Sequence, residues 1–172
     1  MAKASRAGVE FKCNDRERQR SCHDATLQWI RCRRSGCGSQ QIPGNVTVKR
    51  ITCAHDCGLI VNPDGVKNQV EGNIVQGVSR ALLEEVTFDG NGVTSLDWKD
   101  YPILKFSDIL ELDIVLINRQ DVAPLGAGEL ATVPITAAIA SAIFDATGTH
   151  LREVPFTPKR VLAALQQVSR PA

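Results

Sequence analysis

The chain has 172 residues, 43% of them apolar and 23% charged, with a formal net charge of +1. That length suits one domain and a tail, and the balance is ordinary for a globular chain. Near-neutral charge argues neither for nucleic acid nor for a membrane surface, neither is expected as a partner, and no apolar run reaches the roughly 18 to 20 residues of a membrane span.

The average hides an asymmetry. Residues 1–44 carry nine Lys/Arg and four Asp/Glu, whereas residues 45–172 carry eleven and fifteen. Cys13, Cys22, Cys32 and Cys37 fall in the first segment, and only Cys53 and Cys57 in the rest. The text thus changes character near Pro43-Gly44. It divides into a basic, cysteine-rich leader (1–44), a domain (45–168) and a tail (169–172). Phe11, Leu27, Trp29 and Ile30 are scattered among arginines, serines and cysteines in the leader. So little apolar surface hardly offsets the entropy of ordering, and the expectation is a largely irregular segment with at most a short helix around Asp24 to Arg31. The abrupt shift also suggests that the leader is foreign to the domain, as an out-of-frame reading would be. Met1-Ala2-Lys3-Ala4-Ser5-Arg6 has positive charge but no apolar run behind it, unlike a secretory signal, so the expected location is cytoplasmic.

From Asn45 onward the pattern becomes regular. Val46 and Val48 alternate with Thr47 and Lys49, predicting a half-buried strand to about Cys53. Asn62-Pro63-Asp64-Gly65 is a turn in which Asp64 can cap a helix. Val66, Val70, Ile74, Val78 and Leu82 then form one apolar stripe. Gly72 and Gly77 inside that helix each cost about 1 kcal/mol relative to alanine, so close approach of another backbone is expected at both. Asp89-Gly90-Asn91-Gly92 predicts a hairpin turn. Glu111 to Ile117 alternates as a strand with Leu112, Ile114 and Leu116 on one face. A central helix follows, with Thr132 as cap, Pro134 in the first turn and Gly148 at its exit. Val154 to Phe156 reads as a short strand, and Thr157-Pro158 opens a last helix to about Gln167. The fold class is α+β, with mixed strands and packed helices.

The stretch with most chemical content is Ala123-Pro124-Leu125-Gly126-Ala127-Gly128-Glu129, a glycine-rich loop read as running directly into a helix. Glycine lets a ligand approach the backbone, and a helix start attracts anions. The pattern alone is weak, because an acid in a first helical turn is favoured for structural reasons. No Gly-Lys-Ser/Thr follows and no third glycine completes a dinucleotide fingerprint. Gln69 and Gln76 share a helix face and suit either helix packing or a cofactor. His55 and Asp56 read as a strand-end pair bonded to nearby backbone. Asp97, Asp100 and Tyr101 read as a polar loop. Cys32 and Cys37 have the first spacing of a plant-type iron–sulfur motif, but Gln40 stands where the third cysteine belongs. Cys13, Cys22, His23, Cys32 and Cys37 lack the close pairs of zinc fingers. Cys53 and Cys57 read as ordinary reduced thiols.

Four blocks carry a family resemblance. Ala54 to Gly65, the helix Gln69-Val70-Glu71-Gly72-Asn73-Ile74-Val75-Gln76-Gly77, Tyr101 to Phe106, and Pro124 to Glu129 occur in order over about 120 residues. Together they resemble the C-terminal part of the molybdenum-cofactor subunit of xanthine dehydrogenase/aldehyde oxidase enzymes. The wording is most similar to beta subunits of the isoquinoline 1-oxidoreductase type. The resemblance implies a molybdenum–pterin cofactor, with the cytosine dinucleotide form among its variants. It implies hydroxylation of an N-heterocycle or aldehyde with oxygen from water. Glu129 stands where the family has its catalytic base, Gly126, Ala127 and Gly128 stand where the backbone passes the cofactor, and Gln69 is a candidate cofactor contact. No metal ligand is expected from the chain. Leu130 replaces a usual proline, which loosens the backbone after the glutamate. The implied partners are the remaining N-terminal part of the same subunit, an iron–sulfur subunit and a small substrate. The chain alone is expected to retain no cofactor and show no turnover. Alternatives are an inactive remnant and a small metal- or nucleic-acid-binding module built on the leader.

Overall fold

The computed structural model describes residues 26–34 and 44–168. Strand β1 (Thr26–Arg34) pairs antiparallel with β2 (Val46–Asp56), and β2 pairs parallel with β5 (Glu111–Ile117), giving the order β1-β2-β5. Between β2 and β5 run helix α1 (Pro63–Leu82) and a two-stranded hairpin, β3 (Phe88–Asp89) and β4 (Gly92–Val93). Helices α2 (Ile135–Thr147) and α3 (Pro158–Val168) follow. Mixed strands with packed helices are the expected α+β class. Within the leader, Thr26–Arg34 is a strand rather than a short helix. Pairing with β2 along its whole length supplies a ladder that local propensity does not reveal. The remaining leader positions, 1–25 and 35–43, and the tail 169–172 lie outside the described residues.

β2 runs three residues beyond the expected end. Ile51, Cys53 and His55 point into the core, and so does Val48, which has the opposite phase. A β-bulge reconciles the two: the register passes from Arg31 opposite Arg50 to Cys32 opposite Val48, leaving Lys49 as the extra residue. On the opposite face of the β2–β5 pair, among the described residues, Arg50 and Asp113 form an ion pair at 3.2 Å.

α1 begins earlier than Asp64 as cap would allow. Asn62 is the cap, its backbone extended and its side-chain oxygen accepting from the Gly65 N–H at 3.0 Å. Pro63 is preset for the first helical position, and Asp64 stays in the first turn, where the dipole favours it. The predicted stripe is real: Val70, Ile74, Val78 and Leu82 are buried. The two helical glycines differ. A Cβ on Gly77 would lie 2.8 Å from Cγ1 of Ile135, so this glycine lets α2 approach α1. A Cβ on Gly72 would meet nothing within 4 Å, contrary to the expectation of close packing there.

The connection to β5 is tied to α1 by Ser79, whose hydroxyl accepts from the Leu104 N–H, and to the segment just after α1 by the Tyr101 hydroxyl, which donates to Glu84. α2 starts later than Thr132. Pro134 is its cap position and makes no side-chain bond, while Gly148 ends it in the left-handed conformation as expected. Its Ile135, Ile139, Ala142 and Ile143 are buried and Phe144 is partly exposed, so α2 is half turned outward rather than central. The window Leu130–Thr147 is apolar enough for a membrane span. Its α-helical part has only 13 residues, about 20 Å against a bilayer core of roughly 30 Å.

Val154 to Phe156 forms no strand. Pro155 has no N–H to give a ladder, and Phe156 is instead buried with its N–H on the Ala81 carbonyl at 2.7 Å. α3 is anchored by Arg160, which bonds Glu85 and Glu153.

Gly77→Ala should destabilise the fold by about 1–3 kcal/mol through overpacking on Ile135. Gly72→Ala should stabilise it by up to about 1 kcal/mol. Urea midpoints of the two variants check this, and equal shifts would contradict the geometry. A second prediction concerns acid. The hydrogen bond from Arg160 holds the Glu85 carboxyl below its ordinary value of 4.5. A lowered folded value stabilises above the unfolded one and is lost as pH falls through the folded one. Arg160→Met should therefore flatten the pH dependence of stability below about pH 5, as read from thermal midpoints.

Candidate functional site

Where β2 and β5 end, their chains remain side by side. The Ile60 N–H donates to the Asn118 side-chain oxygen at 3.0 Å, Arg119 N–H to the Gly58 carbonyl at 3.1 Å, and Leu59 N–H to Val122 at 3.0 Å. The Leu125 N–H closes the series on the Cys57 carbonyl at 2.9 Å. Asp56 organises this crossing. It accepts from the Gly58 N–H at 3.0 Å and pairs with Nε of Arg119 at 2.9 Å. Its expected role at a strand end, bonded to nearby backbone, is what it performs. Gly58 has φ +76, and a Cβ there would run into the carbonyl of Ala123, so only glycine lets the two segments lie this close.

That arrangement delivers residues 124–128 to the side of α1. Between them, the turn Leu59–Asn62 and the first turns of α1 lies a groove of about 400 Å³. Gln69, Ala127 and Gly128 line it, and Gly126 and Glu129 are their neighbours along the chain. The fold thus brings Ala127 and Gly128 together with Gln69, while Gly126 and Glu129 flank them without lining the groove. Gln76, about two turns further along α1, is exposed and does not line the groove.

The loop does not run directly into a helix. After Glu129 comes a short 3₁₀ turn, Leu130–Thr132, and α2 begins only at Ile135. The helix whose N-terminal turn borders the groove is α1, through Asn62, Gly65 and Val66. Glu129 has φ −136, is exposed, and its side chain makes no capping bond. Its carbonyl accepts from the Thr132 N–H at 3.0 Å. Thr132, expected as a helix cap, instead directs its hydroxyl to Asn73 on α1, 3.2 Å from Oδ1 and 3.5 Å from the carbonyl. Leu130, in place of the usual proline, is the first residue of the 3₁₀ turn.

Gly126 and Gly128 differ from Gly58. Neither has a positive φ, and a Cβ on either would meet nothing within 4 Å. Among the described residues, the backbone N–H groups of residues 126–129 make no hydrogen bond within the chain. Cys53 and Cys57 are buried thiols, and no group of three or more His, Cys, Asp or Glu able to hold a metal occurs among the described residues. Cys13, Cys22, His23 and Cys37 lie outside them. Sequence reasoning missed the Asp56–Arg119 pair and the Asn73–Thr132 bond. Each joins positions about 60 residues apart, and only the unusual glycine after Asp56-Cys57 hinted at the first.

Comparison with known proteins gives this geometry a class. Residues 41–110 match the molybdopterin cofactor-binding domain family. The fold superposes on the aldehyde oxidoreductase of Desulfovibrio gigas with a TM-score of 0.68 and 28% identity, over 82% of this chain and 15% of that one. The domain is therefore of the molybdopterin-binding class. The chain is 49% identical over 71% of its length to one subunit of the nicotinate dehydrogenase of Pseudomonas putida. It is 38% identical over 73% of its length to the beta subunit of isoquinoline 1-oxidoreductase from Brevundimonas diminuta. It belongs to the molybdenum-binding proteins of the xanthine dehydrogenase/aldehyde oxidase family. It spans only 10% and 15% of those two relatives, and so represents part of such a cofactor-binding region.

Gly58→Ala should destabilise the chain by about 2 kcal/mol or more, since the added carbon meets a backbone carbonyl at a left-handed position. Amide hydrogen exchange should accelerate at Leu59 and Leu125 before it does in the middle of α1. Unchanged exchange at those two amides would show that the crossing does not depend on this glycine.

Proposed function

We propose that this chain supplies one wall of a molybdenum–pterin site that hydroxylates an N-heterocycle or aldehyde with oxygen from water. The observation that carries the reading is the pair Gly126 and Gly128. Their backbone angles and the open space around them do not call for glycine within this chain. A planar cofactor laid against the backbone does call for it. The unengaged N–H groups of residues 126–129 and the Gln69 amide offer donors to the heteroatoms of a pterin. The residues present therefore fit the group, with Gly126, Ala127 and Gly128 as a backbone cradle and Gln69 as a hydrogen-bonding side chain. The cytosine dinucleotide form is part of the proposal.

When bound, the molybdenum–pterin group takes up the two electrons that the oxidation releases. The overall change converts R–H and water into R–OH, two protons and two electrons. Glu129 is assigned the proton step. Its carboxylate is exposed, with no bonding partner among the described residues, and stands next to the cradle. It accepts one of the protons released as the water-derived oxygen adds to the substrate carbon. Removing that proton from a positioned oxygen is worth roughly 10²–10⁴ in rate. Gln69 and the loop amides hold and orient.

A single wall does not hold a cofactor that lies between domains, so the remaining part of the same polypeptide completes the site. An iron–sulfur subunit carries the electrons away. Relatives whose names make them single subunits of a dehydrogenase and an oxidoreductase support a multi-subunit assembly.

In the assembled enzyme, Glu129→Gln should lower kcat by about a hundredfold or more while molybdenum, pterin and released CMP stay at wild-type levels. Turnover within a few-fold of wild type would refute the base assignment. The 172-residue chain purified alone should contain neither molybdenum nor pterin and should not oxidise N-heterocycles with a dye acceptor.

A further inference from the structure

We propose that Asn73 is a positioning residue for Glu129, acting through the hydroxyl of Thr132. The inference rests on the assignment of Glu129 as base. Glu129 makes no side-chain bond among the described residues, so its backbone decides where its carboxylate points. On the upstream side the chain is held at Leu125, whose N–H bonds the Cys57 carbonyl, and the N–H groups of residues 126–129 that follow make no hydrogen bond among the described residues. Gly126 and Gly128 are open to solvent, and glycine has the widest backbone freedom of any residue. Restraint comes from downstream. The Glu129 carbonyl accepts from the Thr132 N–H, closing the 3₁₀ turn, and Ala131 within it is fully buried. The Thr132 hydroxyl then ties that turn to Asn73 on α1.

Asn73 is an unusual residue for its place. It is 7% exposed, one helical turn from Gln69 on the groove and in contact range of the buried stripe. Its Nδ2 is buried without a hydrogen-bond partner among the described residues. An unsatisfied buried amide is destabilising, and a leucine at this position would carry no such cost. A cost kept at one side chain, whose other polar atom restrains the turn that bears a base, is what a positioning role requires. Gln69, Asn73 and Gln76 follow one another at i, i+4 and i+7. Gln69 faces the groove and Asn73 the turn, while Gln76 is exposed away from the groove.

The test uses Asn73→Leu, Thr132→Val and Thr132→Ser. In the full 172-residue chain, Thr132→Val should speed amide exchange at Thr132 about tenfold while Ile74 and Val78 stay protected. Thr132→Ser, which keeps the hydroxyl, should restore it. In the assembled enzyme, Thr132→Val and Asn73→Leu should each lower kcat about tenfold with KM unchanged within twofold. The double variant should be no slower than either single one. If Asn73→Leu does not fold, the Thr132→Val and Thr132→Ser pair decides alone. Unchanged exchange at Thr132 in Thr132→Val overturns the tie. An unchanged kcat in Thr132→Val, with Glu129→Gln inactive, overturns the positioning role and leaves the base assignment standing. An active Glu129→Gln enzyme overturns the base assignment, and with it the catalytic role of Asn73, whatever the exchange data show.

Discussion

A parallel pair of strands has no hairpin to hold its ends together, so β2 and β5 need another device where both run out. The carboxylate of Asp56 supplies it. Its Oδ1 accepts from the Gly58 N–H, both oxygens meet Nε of Arg119, and the chains on either side then exchange four further bonds. At 12% side-chain exposure the carboxylate is largely shielded, so its pairing is weakened less by solvent than a surface ion pair. Everything the loop Gly126–Glu129 does depends on this crossing. A glycine-rich segment can serve a site only if its stem is fixed, and here Leu125, just before the first glycine, is bonded to the Cys57 carbonyl.

α1 is asked to do two things at once. One stripe, Val70, Ile74 and Val78, packs the core, while Gln69 and Asn73 meet the groove and the 3₁₀ turn. The Gly77 notch seats Ile135 and so fixes α2 relative to the same helix. Core packing and loop placement therefore share one rigid body. A catalytic loop gains precision from such a support. The same sharing means that core substitutions on α1 and α2 are felt at the groove.

Features with local causes are legible in the sequence. β5 has the predicted limits because seven alternating residues leave no other reading. The Asn91-Gly92 hairpin and the Gly148 exit follow from residues that tolerate special backbone angles. Helix α1 is readable from its stripe, but its cap is not, because Asn62 and Asp64 both satisfy the cap chemistry. What stays hidden needs partners distant in the chain. β1 is a strand because β2 is there to pair with it, and the bulge at Lys49 follows from that pairing. The tie between Thr132 and Asn73, just before α2, likewise joins residues distant in the chain. At the site, the Gly-Ala-Gly-Glu loop is visible as a pattern, but only its likeness to a family gives it meaning. Its partnership with Gln69 appears once both border one groove.

The strand order has a consequence for the molecule in solution. β5 is an edge of the described sheet, and on the face that carries Asp113, Val115 and Ile117 are exposed. An edge of this kind is a template for another strand, whether from a covering domain or from a second unfolded copy. Glu111 and Asp113 place two negative charges on the same strand and the same face. Two copies laid edge to edge would bring those like charges close together. The pair Arg50–Asp113 thus has a second meaning: among the described residues it sets charges on the sheet face beside that edge, a pattern that disfavours the addition of a further strand.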